Sequence, residues 1–190
     1  MINKTLLSGI KNELEVQQKE RNQIIGSSRR VLQSAKQAIF AMHRGDVKQA
    51  DGNLAEAEKI LAQLDKSYNK NNRLRFEGSF KACLEEYVEA KMFSLVLSGK
   101  KLSELKVGGI GPEEYIGGLA DVTGELVRQA VLQATAGNYS KIKKYREFTE
   151  EIVGFLLKLY LTGYLRQKFD EAKRNLKRLE QIIYEVELRK

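Results

Sequence analysis

The chain has 190 residues, of which 42% are apolar and 31% charged, and its 33 lysines and arginines against 25 aspartates and glutamates give a formal charge of +8. This length and apolar content predict one folded domain, residues 1–190, and exclude a disordered chain. The basic excess favours an anionic partner, nucleic acid before a membrane surface.

A single cysteine, Cys83, leaves no internal disulfide framework and is typical of a reducing compartment. No apolar run approaches the roughly 18 residues that cross a bilayer. The first residues also lack the long apolar segment of a secretory signal. We therefore expect a soluble cytoplasmic protein that does not enter a membrane.

Apolar and charged residues recur at helical spacing almost throughout, which predicts an all-α fold, a bundle of six to seven helices. Asp46 is placed to cap the second helix, and the glycine-rich segment 108–112 reads as a linker. Gly26 is a position of low helix propensity within a long first helix. In chain order the predicted helices cover 4–44, 47–66, 74–97, 102–106, 113–136, 140–161 and 164–188.

Two acidic pairs stand at helical spacing, Glu86 with Glu89 and Asp121 with Glu125. Residues three or four apart share a helix face, so each pair directs two carboxylates the same way. Two such pairs brought together repel each other unless a cation lies between them. The stripe that carries Glu86 and Glu89 becomes apolar one turn later, which places these carboxylates at the mouth of a buried region.

The helix that carries Asp121 contains three glycines, Gly117, Gly118 and Gly124. A glycine inside a helix costs up to about 1 kcal/mol relative to alanine. Three of them in one helix therefore predict close approach of another backbone or of a ligand.

Four carboxylates on two helices are suited to hard divalent cations, Mg²⁺ or Mn²⁺, which can activate water against a phosphodiester. The alternative is that these side chains form solvated faces or ordinary ion pairs, and Arg128 is spaced to pair with Glu125. Spacing alone leaves both interpretations open. No zinc-ligand spacing, Walker-type loop or nucleophile elbow offers a competing site in the sequence.

Segments 84–90 and 115–126, which hold both acidic pairs, closely resemble segments of translin-associated factor X. The final segment, 165–190, is similar to the endings of both translin and factor X, and the resemblance extends over nearly the whole chain. It implies an all-α protein that assembles into a closed, octamer-like shell. Within that family, factor X is the endoribonuclease subunit and translin mainly binds nucleic acid.

The resemblance matches Glu86, Glu89, Asp121 and Glu125 to the acidic residues of factor X, which implies that they are catalytic and hold one or two Mg²⁺ or Mn²⁺ ions. The implied activity is metal-dependent hydrolysis of single-stranded RNA, and of single-stranded DNA as a further substrate, by a homo-oligomer. A non-catalytic shell that binds single-stranded nucleic acid, and a purely structural scaffold, are the two alternatives.

Basic side chains would guide the phosphate backbone toward the acidic pairs. Two of them match basic positions in the nucleic-acid-binding segment of translin, although the histidines of that segment are replaced here by residues 76–79, Phe-Glu-Gly-Ser. For each candidate the alternative is a surface cation without a specific role. The candidates are Arg21, Arg29, Lys36, Arg75 and Lys81, of which Arg75 and Lys81 carry the match.

Two further groups of residues have open roles. His43, the single histidine, could act in catalysis, but packing or capping near a helix end is the commoner role. Four aromatic residues could stack on bases, although aromatic residues at helical spacing more often belong to a core or a subunit interface. These four are Phe148, Phe155, Tyr160 and Tyr164.

Overall fold

The computed structural model describes residues 3–68, 77–101, 105 and 107–188, and within them the chain is all-α, without a strand. In this described part no helix combines the length and apolar character that crossing a membrane requires. The six helices are α1 (Lys4–His43), α2 (Val47–Tyr68), α3 (Gly78–Leu97), α4 (Pro112–Thr135), α5 (Tyr139–Leu157) and α6 (Gly163–Glu187).

Local chemistry explains where several helices begin and end. Gly45 adopts a left-handed conformation with φ of 75°, which ends α1. Asp46 then caps α2 as predicted, because its side chain accepts the Gln49 N–H at 3.0 Å. At the start of α4, Pro112 occupies the first turn, and the Glu114 carboxylate accepts the backbone N–H of Gly111 at 2.9 Å.

The prediction that one helix covers residues 140–161 is wrong at its C-terminal end, because α5 stops at Leu157 and residues 158–162 form a connection. Leu159 and Leu161 both pack against the core. Two residues apart, they would point in nearly opposite directions on a helix. The predicted start of the third helix, 74–76, and most of the predicted helix 102–106 lie outside the described residues.

The helices form two groups that are joined mainly through α3 and α4. Helix α1 packs against α2 and α3, whereas α4 packs against α5 and α6, and the contact between α3 and α4 joins the groups. The middle of α3 is buried on nearly every side, since residues 87–90 and 92–93 are all buried. Its thiol, Cys83, is also fully buried. Helix α3 is therefore the centre of the fold.

Helix α1 runs without interruption through Gly26. Its burial begins at Ile24, and almost every residue before that is exposed. The exposed part includes a run of large apolar side chains at helical spacing, Leu6, Ile10 and Leu14. The first half of α1 therefore lies outside the core that the described residues form.

Candidate functional site

Glycines on α4 allow the two acidic pairs to meet. A Cβ atom at Gly118 would lie 2.6 Å from the Glu85 carbonyl oxygen and 2.7 Å from Cβ of Val88, and one at Gly117 would overlap the Glu85 carboxylate. The predicted close approach is thus confirmed at these two positions, where the partner is α3. A Cβ atom at Gly124 would make only an ordinary contact, 3.6 Å from the Asn175 amide nitrogen.

Glu89 is the most buried of the four predicted carboxylates. Burial raises the pKa of Glu89 to about 9, and the negative charges of Asp121, Glu86 and Glu125 add to that increase. Near neutral pH this side chain therefore holds its proton. The charges of Glu86, on α3, and of Asp121 and Glu125, on α4, all act on Glu89, so the two acidic pairs interact electrostatically.

Glu86 and Asp121 are partly buried members of the same cluster. Burial raises the pKa of Glu86, with the nearby charges of Asp121 and Glu125 acting in the same direction and Lys36 opposing them. Burial also raises the pKa of Asp121 to about 6, although its hydrogen bond from Lys168 works against that increase. Burial is the largest cause of both increases.

Lys168, on α6, is the positive charge at the outer edge of the cluster. Its ammonium donates hydrogen bonds to Asp121 and, at 2.9 Å, to Glu85. The Tyr164 hydroxyl also donates to Glu85. Burial disfavours the charge on Lys168, but these hydrogen bonds outweigh burial and raise the pKa of its ammonium. Sequence reasoning missed both Lys168 and Glu85, because no local motif marks a partner that comes from another helix.

His43, near the end of α1, contacts the inner edge of the cluster. Its Nε2 hydrogen-bonds the Glu125 carboxylate, and its Nδ1 lies 2.9 Å from Oε1 of Gln129. The imidazole is only 3% exposed and packs against the ring of Phe93, with 4.9 Å between centroids. His43 is therefore packed in the interior and also contacts a predicted site residue.

The outer carboxylates face a cleft of about 750 Å³ between α1, α3, α4 and α6. Glu86 and Asp121 line it, together with lysines from three different helices, Lys36, Lys81 and Lys168. Glu89 and Glu125 are not among the described residues that line it. An anionic ligand that entered the cleft would meet ammonium groups beside a carboxylate cluster.

A family model described as Translin family matches residues 19–190. The chain belongs to the translin family. This finding confirms the resemblance that the sequence segments carry, and the all-α fold agrees with it.

Curated relatives of this translin-family chain include an uncharacterized protein from Methanocaldococcus jannaschii, 28% identical over 79% of this chain and 68% of that protein. Human translin is 26% identical over 68% of this chain and 63% of its own length. Chicken translin is 33% identical over 40% of this chain and 34% of its own length. The matched part of the chain thus spans less than two thirds of either translin.

Solved structures with the same fold include AfC3PO, with a TM-score of 0.89, 23% identity and coverage of 97% of this chain and 98% of that one. AfC3PO in complex with duplex RNA has a TM-score of 0.88 and 23% identity, with coverage of 97% of each chain. Apo-NeC3PO has a TM-score of 0.85 and 24% identity, with coverage of 98% of each chain. At these identities the likeness establishes the fold of this translin-family chain.

The predicted basic residues divide into two groups. Lys36 and Lys81 lie in the cleft, with their ammonium groups 3.9 Å from Glu86 and 3.2 Å from Glu113. Arg21 and Arg29 lie on α1 and are absent from the described cleft lining. Arg21 donates to Glu77 at 2.7 Å, and Arg29 is exposed. Arg75 lies outside the described residues.

The chemistry of the donor set fits a hard divalent cation, because carboxylate oxygens are the ligands that Mg²⁺ and Mn²⁺ prefer. Burial is the largest cause of the raised pKa values of Glu89 and Asp121, and neighbouring carboxylates add to the increase. Within the described residues, however, no three such side chains are arranged to hold one ion. Lys168 and His43 instead bind Asp121 and Glu125, and Arg128 lies 3.8 Å from Glu125, as spacing suggested.

Proposed function

We propose that this translin-family chain is a metal-dependent endoribonuclease that hydrolyses single-stranded RNA, and single-stranded DNA as a further substrate, at the α3–α4 carboxylate cluster. The observation that carries the proposal is the convergence of four carboxylates beside a lysine-lined cleft, with burial and mutual repulsion raising the pKa of Glu89 to about 9. A complex of AfC3PO, which shares this fold, contains duplex RNA.

Each residue has a defined task in this proposal. Glu86, Glu89, Asp121 and Glu125 would hold Mg²⁺ or Mn²⁺, which when bound lowers the pKa of water and neutralises phosphate charge. Lys36 and Lys81 attract the phosphate backbone into the cleft.

The side chains behind the carboxylates fix their orientation. Lys168 holds Asp121, and His43 holds Glu125. Glu86 faces the cleft, and burial raises the pKa of its carboxyl above the ordinary value.

Cleavage of a labelled single-stranded RNA with Mg²⁺ or Mn²⁺ tests the proposal directly. We expect EDTA to abolish cleavage and Asp121→Asn to slow it by at least about 100-fold, because the variant removes a charged ligand of the site. Glu113→Gln is the matched control, since Glu113 lines the same cleft but pairs with Lys81. Cleavage by Asp121→Asn at the wild-type rate would contradict the assignment.

A second candidate function is a non-catalytic shell that binds single-stranded nucleic acid. It is favoured by the engagement of Asp121 and Glu125 with Lys168 and His43, which gives these carboxylates a structural use. The same assay separates the two candidates. Tight, salt-sensitive binding without cleavage, equal in the wild type and Asp121→Asn, would establish the second.

We further propose that the active form is a closed, octamer-like homo-oligomer. Large exposed apolar side chains on the first half of α1, Leu6, Ile10 and Leu14, support association, because soluble monomers seldom expose such a stripe. Light scattering would measure the native mass. A particle of 21.6 kDa, the mass of one chain, would contradict this proposal.

A further inference from the structure

Tyr160 is the tip of a tight turn between α5 and α6, and its side chain is 99% exposed. The Leu161 N–H donates to the Leu159 carbonyl at 3.0 Å, which closes a three-residue turn around it. Leu159 and Leu161 both pack against the core. Because the two flanking leucines point inward, the turn directs the Tyr160 ring into solvent.

This exposed ring lines the same cleft as the outer carboxylates and the lysines. Tyr164, four residues further on, also lines the cleft but is held in place. Its hydroxyl donates to Glu85, and the Lys168 ammonium lies 5.1 Å from the centre of its ring. Tyr164 is therefore held in place although it is 55% exposed, and Tyr160 presents the more accessible aromatic face.

Nothing in the packing of the described residues explains the placement of Tyr160. A tyrosine ring left in water adds nothing to the core, but it retains a large flat surface that a planar ligand can cover. Ammonium groups of Lys36 and Lys81 in the same cleft attract phosphates. A planar group joined to phosphates, which is the chemistry of a nucleotide in a single strand, meets both requirements.

We propose that Tyr160 is a stacking platform for one unpaired nucleobase at the mouth of the carboxylate cleft. The inference rests on the proposed function and adds a reason for its preference for single strands. A base inside a duplex is already stacked on both faces, so it cannot cover the tyrosine ring without leaving its helix. A base in a single strand has a free face and stacks on an aromatic side chain in a sequence-tolerant way.

The chain contains no tryptophan, which makes a direct optical test available. In Tyr160→Trp the new indole is the sole tryptophan, and a base stacked on it should quench its emission. We expect strong quenching when an unlabelled single-stranded RNA is titrated in EDTA, where cleavage is prevented. Tyr184→Trp is the matched control, because Tyr184 is also exposed but is not among the described residues that line the cleft.

Affinity gives an independent measurement on the full chain. Fluorescence anisotropy of a labelled single-stranded RNA should give a Kd about tenfold higher for Tyr160→Ala than for the wild type, whereas Tyr160→Phe, which keeps the ring, should stay within about twofold. Tyr184→Ala should leave the Kd unchanged. With a duplex of the same sequence, the wild type and the three variants should have the same Kd.

The outcomes separate failure of this inference from failure of the proposed function. If the wild type binds single-stranded RNA and Tyr160→Ala binds it equally well, the stacking platform is refuted while the proposed function stands. If Tyr160→Ala lowers the native mass and its loss of affinity follows that change, Tyr160 is a subunit contact and the inference is wrong. If the wild type binds no RNA, both proposals fail.

Discussion

The acidic pairs on α3 and α4 have similar helical spacing but different surroundings. On α4, Asp121 hydrogen-bonds Lys168 from α6, and Glu125 hydrogen-bonds His43 from α1. On α3, the ion pair that Glu86 makes in the described part of the chain is with an exposed lysine, Lys36, 3.9 Å away. Within the described residues, Glu89 has no hydrogen bond or ion pair. In the described part of the chain, both carboxylates of the α4 pair therefore have a close hydrogen-bonding partner from another helix, whereas those of the α3 pair do not.

Glu89→Gln should have the largest effect on stability among the substitutions that test this difference between the two pairs. With a folded pKa of about 9 against an ordinary value of 4.5, Glu89 contributes stability below pH 4.5 that the protein loses as pH rises through 9. Glutamine mimics the protonated acid at every pH. In EDTA we expect the variant to match the wild type near pH 4.5 and to exceed it at pH 9 by roughly 3–5 kcal/mol in the free energy of unfolding.

Urea denaturation at several pH values measures this difference. Glu113→Gln serves as the control, since the exposed ion pair of Glu113 with Lys81 should give nearly the same pH profile with or without the carboxylate. Parallel profiles for Glu89→Gln and the wild type would mean that Glu89 is ionised in the folded protein.

Lys168→Met should remove the ammonium group that pairs with Asp121 of α4. Its side chain is 17% exposed and serves two carboxylates, so its loss leaves Asp121 and Glu85 repelling each other. We expect thermal or urea unfolding near pH 7 to report a loss of about 3 kcal/mol. Lys81→Met, which removes an exposed ion pair lining the same cleft, should cost less than about 0.5 kcal/mol. Equal effects of the two substitutions would refute the special role of Lys168.

The separation of the two pairs depends on Gly118. In Gly118→Ala the added methyl group would press on the Glu85 carbonyl and Val88, and we expect unfolding to become easier by about 2 kcal/mol. Gly124→Ala, on the same helix, has room for its methyl group and should gain up to about 1 kcal/mol from helix propensity. Opposite signs in urea denaturation would confirm that Gly118, and not Gly124, sets the α3–α4 distance.

Lys36→Gln should have the smallest effect on folding, less than about 0.5 kcal/mol, because its ion pair with Glu86 is long and exposed. Its effect should appear in RNA binding instead, as a salt dependence reduced by about one counterion. Lys11→Gln is the control, an exposed lysine of α1 that lies 3.7 Å from Glu15. Identical salt slopes for both variants would place Lys36 outside the RNA path.

Helical periodicity was sufficient to predict the fold class and most helix bounds, because apolar residues that face a core recur every three to four positions. It failed at residues 158–162, where Leu159 and Leu161 both pack inward around an exposed Tyr160. Apolar composition alone does not distinguish that turn from another helical turn. The accessible ring of Tyr160 could therefore be recognised only from the structure.

The candidate site divides in the same way. Spacing identified the four carboxylates, and the glycines of α4 predicted a close approach that the structure has at Gly117 and Gly118. The partners Lys168 and His43 lie 47 and 82 residues from the carboxylates that they contact. Which distant residue meets a carboxylate depends on how α1 and α6 pack, and no local pattern encodes that.

The buried thiol of Cys83 has a practical consequence. Its Sγ–H donates to the Phe80 carbonyl at 3.1 Å, and burial raises its pKa to about 12, so the folded protein presents neither an accessible sulfur nor a thiolate. An alkylating reagent can therefore react only after α3 has opened. Because Cys83 is the sole thiol and shares its helix with Glu86 and Glu89, the rate of labelling in wild-type protein reports how tightly a bound ion or RNA holds that helix closed.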